Sequence, residues 1–305
     1  MNVLLTGASG QLGQELLLQL LPLGRVSQVD QAAEPGNREI LRQDLGDLNQ
    51  VEILLNRTHP DIIVNAAAYT AVDPAEDNPE TAFRVNADLP GCLARWSERN
   101  DRLLVHYSTD YVFSGNMNRA YTEQDQTGPL GVYGESKLAG ESSITASKCM
   151  HVILRTSWVY SGHGNNFVLT MLRLARERPS LSIVSDQRGC PTWARNLASV
   201  TRKTISRLST KRGGAGPRGI FHYCDSGAVT WYEFAHTIFT LAKRVGLLQQ
   251  KPEMTAVPSS DFPQKAERPL NSVLDTSKIR EAFGVEQADL QQSLQSCLEE
   301  VKENE

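Results

Sequence analysis

The sequence predicts an α/β protein built on a doubly wound parallel sheet, with a smaller α+β unit formed by the C-terminal part of the chain. Short apolar runs alternate with amphipathic helical stretches along the first half of the 305-residue chain. That alternation is typical of parallel strands joined by helices. The strand-like runs are apolar throughout, as expected when helices cover both faces of the sheet.

The local pattern of each segment in the first half predicts its structure. Strands are predicted at residues 2–6, 26–30, 61–65, 103–107 and 152–155. Helical periodicity predicts helices at residues 11–21, 47–58, 79–100 and 133–146. The third of these helices has a proline near its start, where a helix tolerates one.

The strict alternation ends near Trp158. Further helices are predicted at residues 165–178, 193–208, 231–245, 276–283 and 289–302, with strands at 181–184 and 220–224. Residues 255–268 are rich in Pro and Ser, and we predict irregular structure there. We therefore expect residues 1–158 to form the sheet domain, rejoined by 195–226. Residues 159–194 and 227–305 are expected to form the second domain at the carboxyl edge of the sheet.

Composition narrows the function classes. Hydrophobic residues make up 40% and charged residues 22%, which is typical of a globular protein and not of a disordered one. The net charge of -4 provides no general attraction to nucleic acid or to a membrane surface. We find no membrane-spanning apolar run and no signal peptide, and so expect a cytoplasmic protein. The scattered cysteines and histidines predict reduced thiols and no metal centre.

A glycine-rich turn separates the first predicted strand from the first predicted helix. The segment TGASGQLG places Gly7, Gly10 and Gly13 in a G-x-x-G-x-x-G pattern. Glycine lets the backbone approach an anion, and the N–H groups at a helix start face a pyrophosphate. Between a strand and a helix, this pattern predicts a dinucleotide site to which Gln11 and Leu12 also belong. The predicted fold is thus a Rossmann-type doubly wound parallel sheet with a smaller α+β C-terminal substrate domain.

The cofactor choice depends on the end of the second strand. Asp30 lies there, and its carboxylate would accept hydrogen bonds from ribose hydroxyls and repel a 2′-phosphate, which favours NAD(H). Arg25 and Arg38 are close enough in sequence to receive that phosphate, so NADH and NADPH both stay open. Further cofactor contacts are predicted at Asp44, Leu45, Ala66, Ala67 and Ala68.

Three residues form a candidate proton-transfer group. Tyr133 and Lys137 lie four residues apart on a predicted helix, and therefore on one face. An ammonium close to a phenol favours the phenolate and lowers the pKa of the phenol, so we expect Lys137 to act in this way on Tyr133. Lys137 is also placed to bind the nicotinamide ribose. Thr109 follows the fourth strand, where this fold binds ligands, and is expected to hold the substrate oxygen.

The sequence resembles the extended short-chain dehydrogenase/reductases over nearly the whole chain. The resemblance rests on the glycine-rich turn, on Thr109, Tyr133 and Lys137, and on the segments DIIVNAAA, HYSTDYVF, RTSWVY and GNNF. Within that family the sequence is similar to the branch that reduces dTDP-4-dehydrorhamnose. The resemblance implies hydride transfer from NADPH or NADH to C4 of a dTDP-linked 4-keto-6-deoxy-L-mannose, giving dTDP-L-rhamnose. It implies that Tyr133 donates the proton, Lys137 positions the reactants and Thr109 binds the carbonyl.

The resemblance also implies substrate contacts and an assembly. The residues it places near the dTDP-sugar are Thr109, Asp110, Tyr111, Trp158, Asn166, Arg268 and Asn271. Asn86 is implied either as part of a proton relay or as a structural helix residue. Some members dimerise through Mg²⁺ held by acidic residues; here Glu15 is present, but Arg195 occupies the second acidic position. We therefore expect a monomer, or a homodimer that Mg²⁺ does not bridge.

Two alternatives share this fold. Another nucleotide-sugar 4-reductase or epimerase would apply the same hydride chemistry to a different sugar. A regulatory protein similar to the β subunit of methionine adenosyltransferase would use the fold to bind a protein partner. The intact set of Thr109, Tyr133 and Lys137 favours an enzyme.

Overall fold

The computed structural model describes residues 1–32, 39–209 and 216–305. Within these ranges the chain forms thirteen strands and eleven α-helices. The strands are β1 (Asn2–Thr6), β2 (Arg25–Asp30), β3 (Ile40–Arg42), β4 (Ile62–Asn65), β5 (Leu103–Thr109), β6 (Met150–Thr156), β7 (Val159–Tyr160), β8 (Ser180–Val184), β9 (Arg188–Gly189), β10 (Thr192–Trp193), β11 (Gly219–His222), β12 (Val229–Thr230) and β13 (Glu253–Val257).

The helices alternate with these strands in the first half of the chain and cluster in the second. They are α1 (Gln11–Leu20), α2 (Leu48–Thr58), α3 (Val72–Ala75), α4 (Pro79–Phe83), α5 (Leu89–Asn100), α6 (Val132–Ala146), α7 (Phe167–Glu177), α8 (Ala194–Ser209), α9 (Trp231–Val245), α10 (Ser277–Phe283) and α11 (Leu290–Glu303). Among the described helices, none is both long and apolar enough to cross a membrane.

Seven of the described strands form one parallel sheet in the order β11-β6-β5-β4-β1-β2-β3, which confirms the predicted doubly wound architecture. The chain runs from β1 outward in one direction and then returns to add β4, β5, β6 and β11 on the other side. Thr6 pairs with both Val29 and Asn65, so the carboxyl ends of β1, β2 and β4 lie side by side. A sheet of this kind opens its ligand crevice at that point.

The position of Arg25 corrects one expectation about the cofactor. Arg25 is the first residue of β2 and pairs with Asn2, at the edge of the sheet opposite the glycine-rich turn. The five residue steps to Asp30 span about 16 Å, so Arg25 is too far from the carboxyl edge to receive a 2′-phosphate there. Arg38, the other candidate, lies outside the described residues.

Helices cover both faces of the sheet. On one face Val3 and Leu5 pack with Leu16 of α1 and Leu197 of α8. On the other face Leu4 belongs to a second cluster, which includes side chains of α2 and α5. Because alternate residues of β1 enter different clusters, the strand is apolar throughout, as the sequence pattern predicted.

A third apolar cluster lies among α7, α9 and α11, beside the two-stranded pair β8–β13. This pair corrects the prediction of irregular structure from residue 255, because Thr255 and Val257 lie within β13 and pair with Ser182 and Val184. Residues 195–226, which were expected to rejoin the first domain, contribute to the large sheet and its helices. Strand β11 pairs with β6, and α8 packs on α1.

Candidate active site

The glycine-rich turn connects β1 to α1 directly in front of the end of β4. Gly7 has φ +69°, and a Cβ at this position would lie 2.6 Å from the backbone of Ala66. A Cβ on Gly13 would lie 2.0 Å from the carbonyl oxygen of Gly7. Gly10 is the N-cap of α1 and brings no side chain to its first turn. The cradle therefore fits a diphosphate: side chains are excluded, and the N–H groups at the start of the helix are left for the anion.

The other residues predicted to bind the cofactor surround this turn. Both carboxylate oxygens of Asp30 accept backbone hydrogen bonds at 2.8 Å, one from Ser9 in the turn and one from Ala32. Asp30 therefore holds the turn against the end of β2. Asp44 accepts a hydrogen bond from the N–H of Gly46 in the same way.

The apolar residues of this set differ in exposure. Leu45 is buried and Leu12 packs against the core, whereas Ala66, Ala67 and Ala68 follow β4 and are partly exposed. Gln11 bridges to the second half of the chain, because its amide donates to the carbonyl of Val159 and accepts from the hydroxyl of Ser161.

Thr109 and Tyr133 meet at the carboxyl edge of the sheet. Thr109 ends β5 and Tyr133 lies in the first turn of α6, and the Thr109 hydroxyl is near enough to the phenol of Tyr133 to lower its pKa. The Thr109 hydroxyl also accepts from the N–H of Tyr111 and donates to Asp110 Oδ1, both at 3.1 Å. A Cβ at Gly134 would lie 2.3 Å from the carbonyl oxygen of Tyr111, so this glycine lets α6 closely approach the turn that follows β5.

The structure contradicts the predicted effect of Lys137 on Tyr133. Tyr133 keeps part of its surface open to solvent, but the surrounding protein raises its pKa to about 12; the nearby hydroxyl of Thr109 lowers the pKa and the charge of Asp110 raises it. The Nζ atom of Lys137 instead donates to the carbonyl oxygen of Tyr107 at 2.6 Å. Burial lowers the pKa of Lys137 to about 8, while the charge of Glu141 raises it.

Asp110 is a second buried acid at this edge of the sheet. Burial raises its pKa to about 7, and the nearby hydroxyls of Ser272 and Thr109 act in the opposite direction. Its Oδ2 atom has no hydrogen-bond partner within the described part of the chain. Asp110 can therefore hold or release a proton near neutral pH, one hydrogen bond from Thr109.

A cavity of about 660 Å³ opens beside Tyr111. Tyr111 and Arg268, two residues predicted to bind substrate, line it, and Arg268 is paired with Asp73 at 3.0 Å. Sequence reasoning did not predict substrate contacts for the other lining residues, among them Phe167, Arg178, Gln187 and Trp231. Trp231 stacks on Trp158 with ring centroids 3.4 Å apart, so Trp158 supports one wall of the cavity.

The structure does not bring Asn166 and Asn271 to this cavity. Asn166 is the N-cap of α7: its oxygen accepts from the N–H of Leu169, and its amide donates to two backbone carbonyls. The amide of Asn271 donates to the carbonyls of Met117 and Arg119. Both side chains use their polar atoms to hold the backbone.

Asn86 is likewise committed to structure. It is fully buried in a π-helical turn between α4 and α5, where the sequence predicted one continuous helix. Its amide exchanges two hydrogen bonds of 2.9 Å with the backbone of Tyr69 and donates to the hydroxyl of Ser136.

The acidic residue Glu15 is paired within the chain. Arg195 contacts Glu15 at 3.0 Å and Glu300 at 2.8 Å, so its guanidinium lies between two carboxylates. In the residues that the structure describes, no group of three or more His, Cys, Asp or Glu side chains is arranged to hold a metal ion.

Comparison with known proteins gives consistent matches along the whole chain. The model of the family described as "RmlD substrate binding domain" matches residues 1–303. The chain is 41% identical to dTDP-4-dehydrorhamnose reductase of Escherichia coli strain K12, covering 99% of this chain and 98% of that protein.

Solved structures agree with this match. A dTDP-4-dehydrorhamnose reductase from Clostridium acetobutylicum is similar with a TM-score of 0.88 at 33% identity, covering 99% of this chain and 100% of that one. A dTDP-4-dehydrorhamnose reductase from Bacillus anthracis, solved in complex with NADP, gives a TM-score of 0.86 at 32% identity, with 98% and 99% of the two chains covered.

Proposed function

The chain belongs to the RmlD substrate binding domain family, and we propose that it reduces dTDP-4-dehydrorhamnose to dTDP-L-rhamnose with NADH or NADPH. One observation carries this function beyond the family match. The neighbouring hydroxyls of Thr109 and Tyr133 lie at the same sheet edge as the glycine-rich turn, and Tyr111 beside them lines the large cavity. This shared position supports the proposal that a proton donor, a cofactor site and a substrate cavity belong to one active site.

When bound, NADH or NADPH supplies the hydride that reduces the C4 carbonyl. The carbonyl oxygen then gains negative charge, and Tyr133 donates its phenolic proton to it. A pKa of about 12 keeps the phenol protonated at neutral pH, yet the phenol is still more acidic than the alcohol being formed. Tyr133 therefore serves as a general acid.

Thr109 orients this phenol. Its single hydroxyl proton points to Asp110, so its lone pairs are left for the N–H of Tyr111 and the phenol of Tyr133. When Asp110 is protonated, the Thr109 hydroxyl is free to turn and donate to the substrate oxygen. Lys137 binds the cofactor ribose and adds positive charge beneath the site.

The cavity accommodates the dTDP-sugar, and its volume lies within the range of small-molecule sites. Arg268 and Arg178 are the lining cations suited to the diphosphate. Phe167 and Trp231 offer aromatic faces to the base or the sugar. In this arrangement the sugar lies near Thr109, and Asp110, which is hydrogen-bonded to Thr109, lies next to the sugar. In this proposal residues 159–194 and 227–305 form the substrate-binding domain, and residues 1–158 with 195–226 form the cofactor-binding domain.

The decisive experiment follows the oxidation of NADH and of NADPH with freshly made dTDP-4-dehydrorhamnose. We expect rapid consumption of at least one cofactor, with dTDP-L-rhamnose as the product. Faster reaction with a UDP- or GDP-linked 4-keto sugar would favour another nucleotide-sugar reductase. Absence of turnover with every sugar, together with binding to methionine adenosyltransferase, would favour a regulatory subunit.

The proposed assembly is a monomer, or a homodimer without bridging Mg²⁺, because Arg195 places a cation next to Glu15. Sedimentation with Mg²⁺ and with EDTA tests this proposal, and the expected mass is the same in both. The proposed location is the cytoplasm, which fractionation of the source cells tests.

A further inference from the structure

A row of buried polar side chains crosses the sheet beneath the candidate active site. Thr6, Asn65 and His106 are in register on the neighbouring strands β1, β4 and β5, and Lys137 of α6 lies next to His106. The Thr6 hydroxyl is 2.6 Å from Asn65 Oδ1, Asn65 Nδ2 is 3.0 Å from His106 Nδ1, and His106 Nε2 is 3.5 Å from Lys137 Nζ. None of the four side chains is more than 2% exposed.

The chemistry of these groups allows two proton arrangements along the row. If Lys137 is an ammonium ion, it must donate to His106 Nε2, so that His106 carries its proton on Nδ1. That proton then faces the oxygen of Asn65, whose nitrogen donates to Thr6. The two ends of an amide fill the same space, so the partners decide which end faces His106.

If Lys137 is a neutral amine, each hydrogen bond reverses. His106 carries its proton on Nε2 and donates to Lys137, while its Nδ1 accepts from the nitrogen of Asn65. The oxygen of Asn65 then accepts from the Thr6 hydroxyl. Both arrangements keep a donor facing an acceptor at each of the three contacts in the row. The direction of the row therefore follows the protonation state of Lys137.

The charged groups around the row leave the imidazole neutral. Burial and the charge of Lys137 hold the pKa of His106 well below its usual range. Lys137 is faced by His106 of β5, by the carbonyl of Tyr107 and by Glu141 of its own helix. The charge of Glu141 is itself paired with Arg155 of β6. The neutral imidazole of His106 can therefore accept a hydrogen bond from the ammonium group of Lys137 through its Nε2 atom.

We propose that His106 is a positioning residue: its Nε2 atom fixes Lys137 and favours its ammonium form, and the row of Asn65 and Thr6 ties this lysine to the glycine-rich turn. The inference rests on the proposed function in so far as Lys137 binds the cofactor. Thr6 immediately precedes Gly7, so the row links the two parts of the chain that would hold the dinucleotide.

Two variants separate the two ring nitrogens. His106→Gln reaches the Nε2 position and keeps an acceptor for Lys137, whereas His106→Asn reaches only the Nδ1 position. The dissociation constant of NADH is measured by fluorescence from pH 6 to 10, because binding reports Lys137 without requiring any sugar. For the unmodified protein we expect binding to weaken as the pH passes about 8, where Lys137 loses its charge.

In His106→Asn this weakening should begin about one pH unit lower, because the ammonium has lost its acceptor. Binding is then up to about five-fold weaker than in the unmodified protein at pH 8 and up to about ten-fold weaker at higher pH, and nearly equal at pH 6. His106→Gln should follow the unmodified protein. The proposal is overturned if the two variants behave alike, or if the pH dependence does not move in His106→Asn. These titrations measure NADH binding and need no keto sugar. The proposal for His106 can therefore be tested even if the protein does not reduce dTDP-4-dehydrorhamnose.

A measurement on the unmodified protein covers the case in which the variants do not fold. Nitrogen-15 spectra of the six histidines report which ring nitrogen carries the proton. We expect His106 to be protonated on Nδ1 at pH 7 and on Nε2 above about pH 8, where Lys137 becomes neutral. A His106 ring that is doubly protonated at pH 7, or whose proton stays on one nitrogen throughout, would overturn the proposal.

Discussion

Glu141 of α6 and Arg155 of β6 form a two-pronged ion pair, with contacts of 2.8 and 2.6 Å, in which neither side chain is more than 3% exposed. The pair attaches the helix that carries Tyr133 and Lys137 to β6, the second strand from one edge of the sheet. The guanidinium also lies 5.0 Å from the ring centre of Phe113. The position of the proton donor therefore depends on a buried charge pair outside the crevice.

Glu141→Ala should destabilise the protein strongly, because Arg155 would be left charged, buried and without its carboxylate. We expect the free energy of unfolding to fall by about 3–5 kcal/mol in urea titrations. The matched control is Glu177→Ala, which breaks the exposed pair with Arg173 and should cost at most about 1 kcal/mol. If the free energy of unfolding fell equally in the two variants, the buried ion pair would contribute no more to stability than the exposed one.

Asp110→Asn should change how stability depends on pH. Burial raises the pKa of Asp110 to about 7 in the folded protein, above the value of an unfolded aspartate. The stability that this group contributes is therefore fully present below about pH 4 and is lost as the pH rises to 7. The asparagine variant lacks this loss, so it should gain stability relative to the unmodified protein across that interval, by up to roughly 4 kcal/mol.

Urea titrations at several pH values between 4 and 8 measure this difference. Asp125→Asn is the control of opposite sign, because the hydrogen bond with Arg119 holds the pKa of Asp125 below its usual range. The stability that its carboxylate contributes is lost only as the pH falls below the unfolded pKa of about 4. The difference between this variant and the unmodified protein should therefore stay constant from pH 5 to 8. A parallel pH dependence for Asp110→Asn and the unmodified protein would contradict the raised pKa.

Most of the sheet could be predicted from sequence because its strands are buried on both faces and read as continuous apolar runs. The strand β3 was not predicted, because Ile40–Arg42 is only three residues long and partly exposed. The strand β13 was not predicted either, because its residues are exposed or only partly buried. The π-helical turn near Asn86 depends on contacts with Tyr69, seventeen residues away, which helical periodicity does not contain.

The motif residues of the site could also be predicted, because the glycine turn and the strand-end threonine are fixed by local chain geometry. The cavity wall could not. Phe167 and Trp231 are apolar residues of helical segments, and nothing in their own sequence distinguishes a lining side chain from a core one. Similarly, Lys137 points to the carbonyl of Tyr107 because of how α6 packs on β5, and spacing along one helix does not reveal that.

Gly13→Ala should weaken cofactor binding and lower stability together. The added Cβ would lie 2.0 Å from the carbonyl oxygen of Gly7, so the turn must move. We expect the free energy of unfolding to fall by about 1–3 kcal/mol and the dissociation constant of NADH to rise. Gly128→Ala is the control, because its Cβ would meet only Ser114 at an ordinary 3.6 Å. Unchanged NADH binding in Gly13→Ala would argue against this turn as the cofactor cradle.

Trp231→Leu should weaken substrate binding selectively. Trp231 lines the cavity, stacks on Trp158 and donates a hydrogen bond of 3.2 Å to Gln187. Loss of an aromatic face is worth about 0.5–1.5 kcal/mol, which corresponds to a KM for the dTDP-sugar roughly two- to thirteen-fold higher. Trp231→Phe keeps a ring and should restore most of the affinity. If the dissociation constant of NADH rose by the same factor as the KM, the effect of Trp231 would not be specific to the substrate.

Tyr133→Phe should nearly abolish turnover and leave NADH binding intact, because it removes the transferable proton and keeps the ring. The loss of general-acid catalysis predicts a kcat lower by about 10²–10⁴. Tyr107→Phe is the matched control on the adjoining strand, since the Tyr107 phenol is bonded to Thr201 at 2.7 Å and stands away from the crevice.

The control should keep the kcat of the unmodified protein, because the backbone carbonyl of Tyr107 that binds Lys137 is unaffected by the substitution. Measuring kcat and the dissociation constant of NADH for both variants separates chemistry from binding. If Tyr133→Phe retained more than a tenth of the turnover, the proton would have to come from another group. Asp110 would be the next donor to test, because it lies one hydrogen bond from Thr109 and burial raises its pKa to about 7.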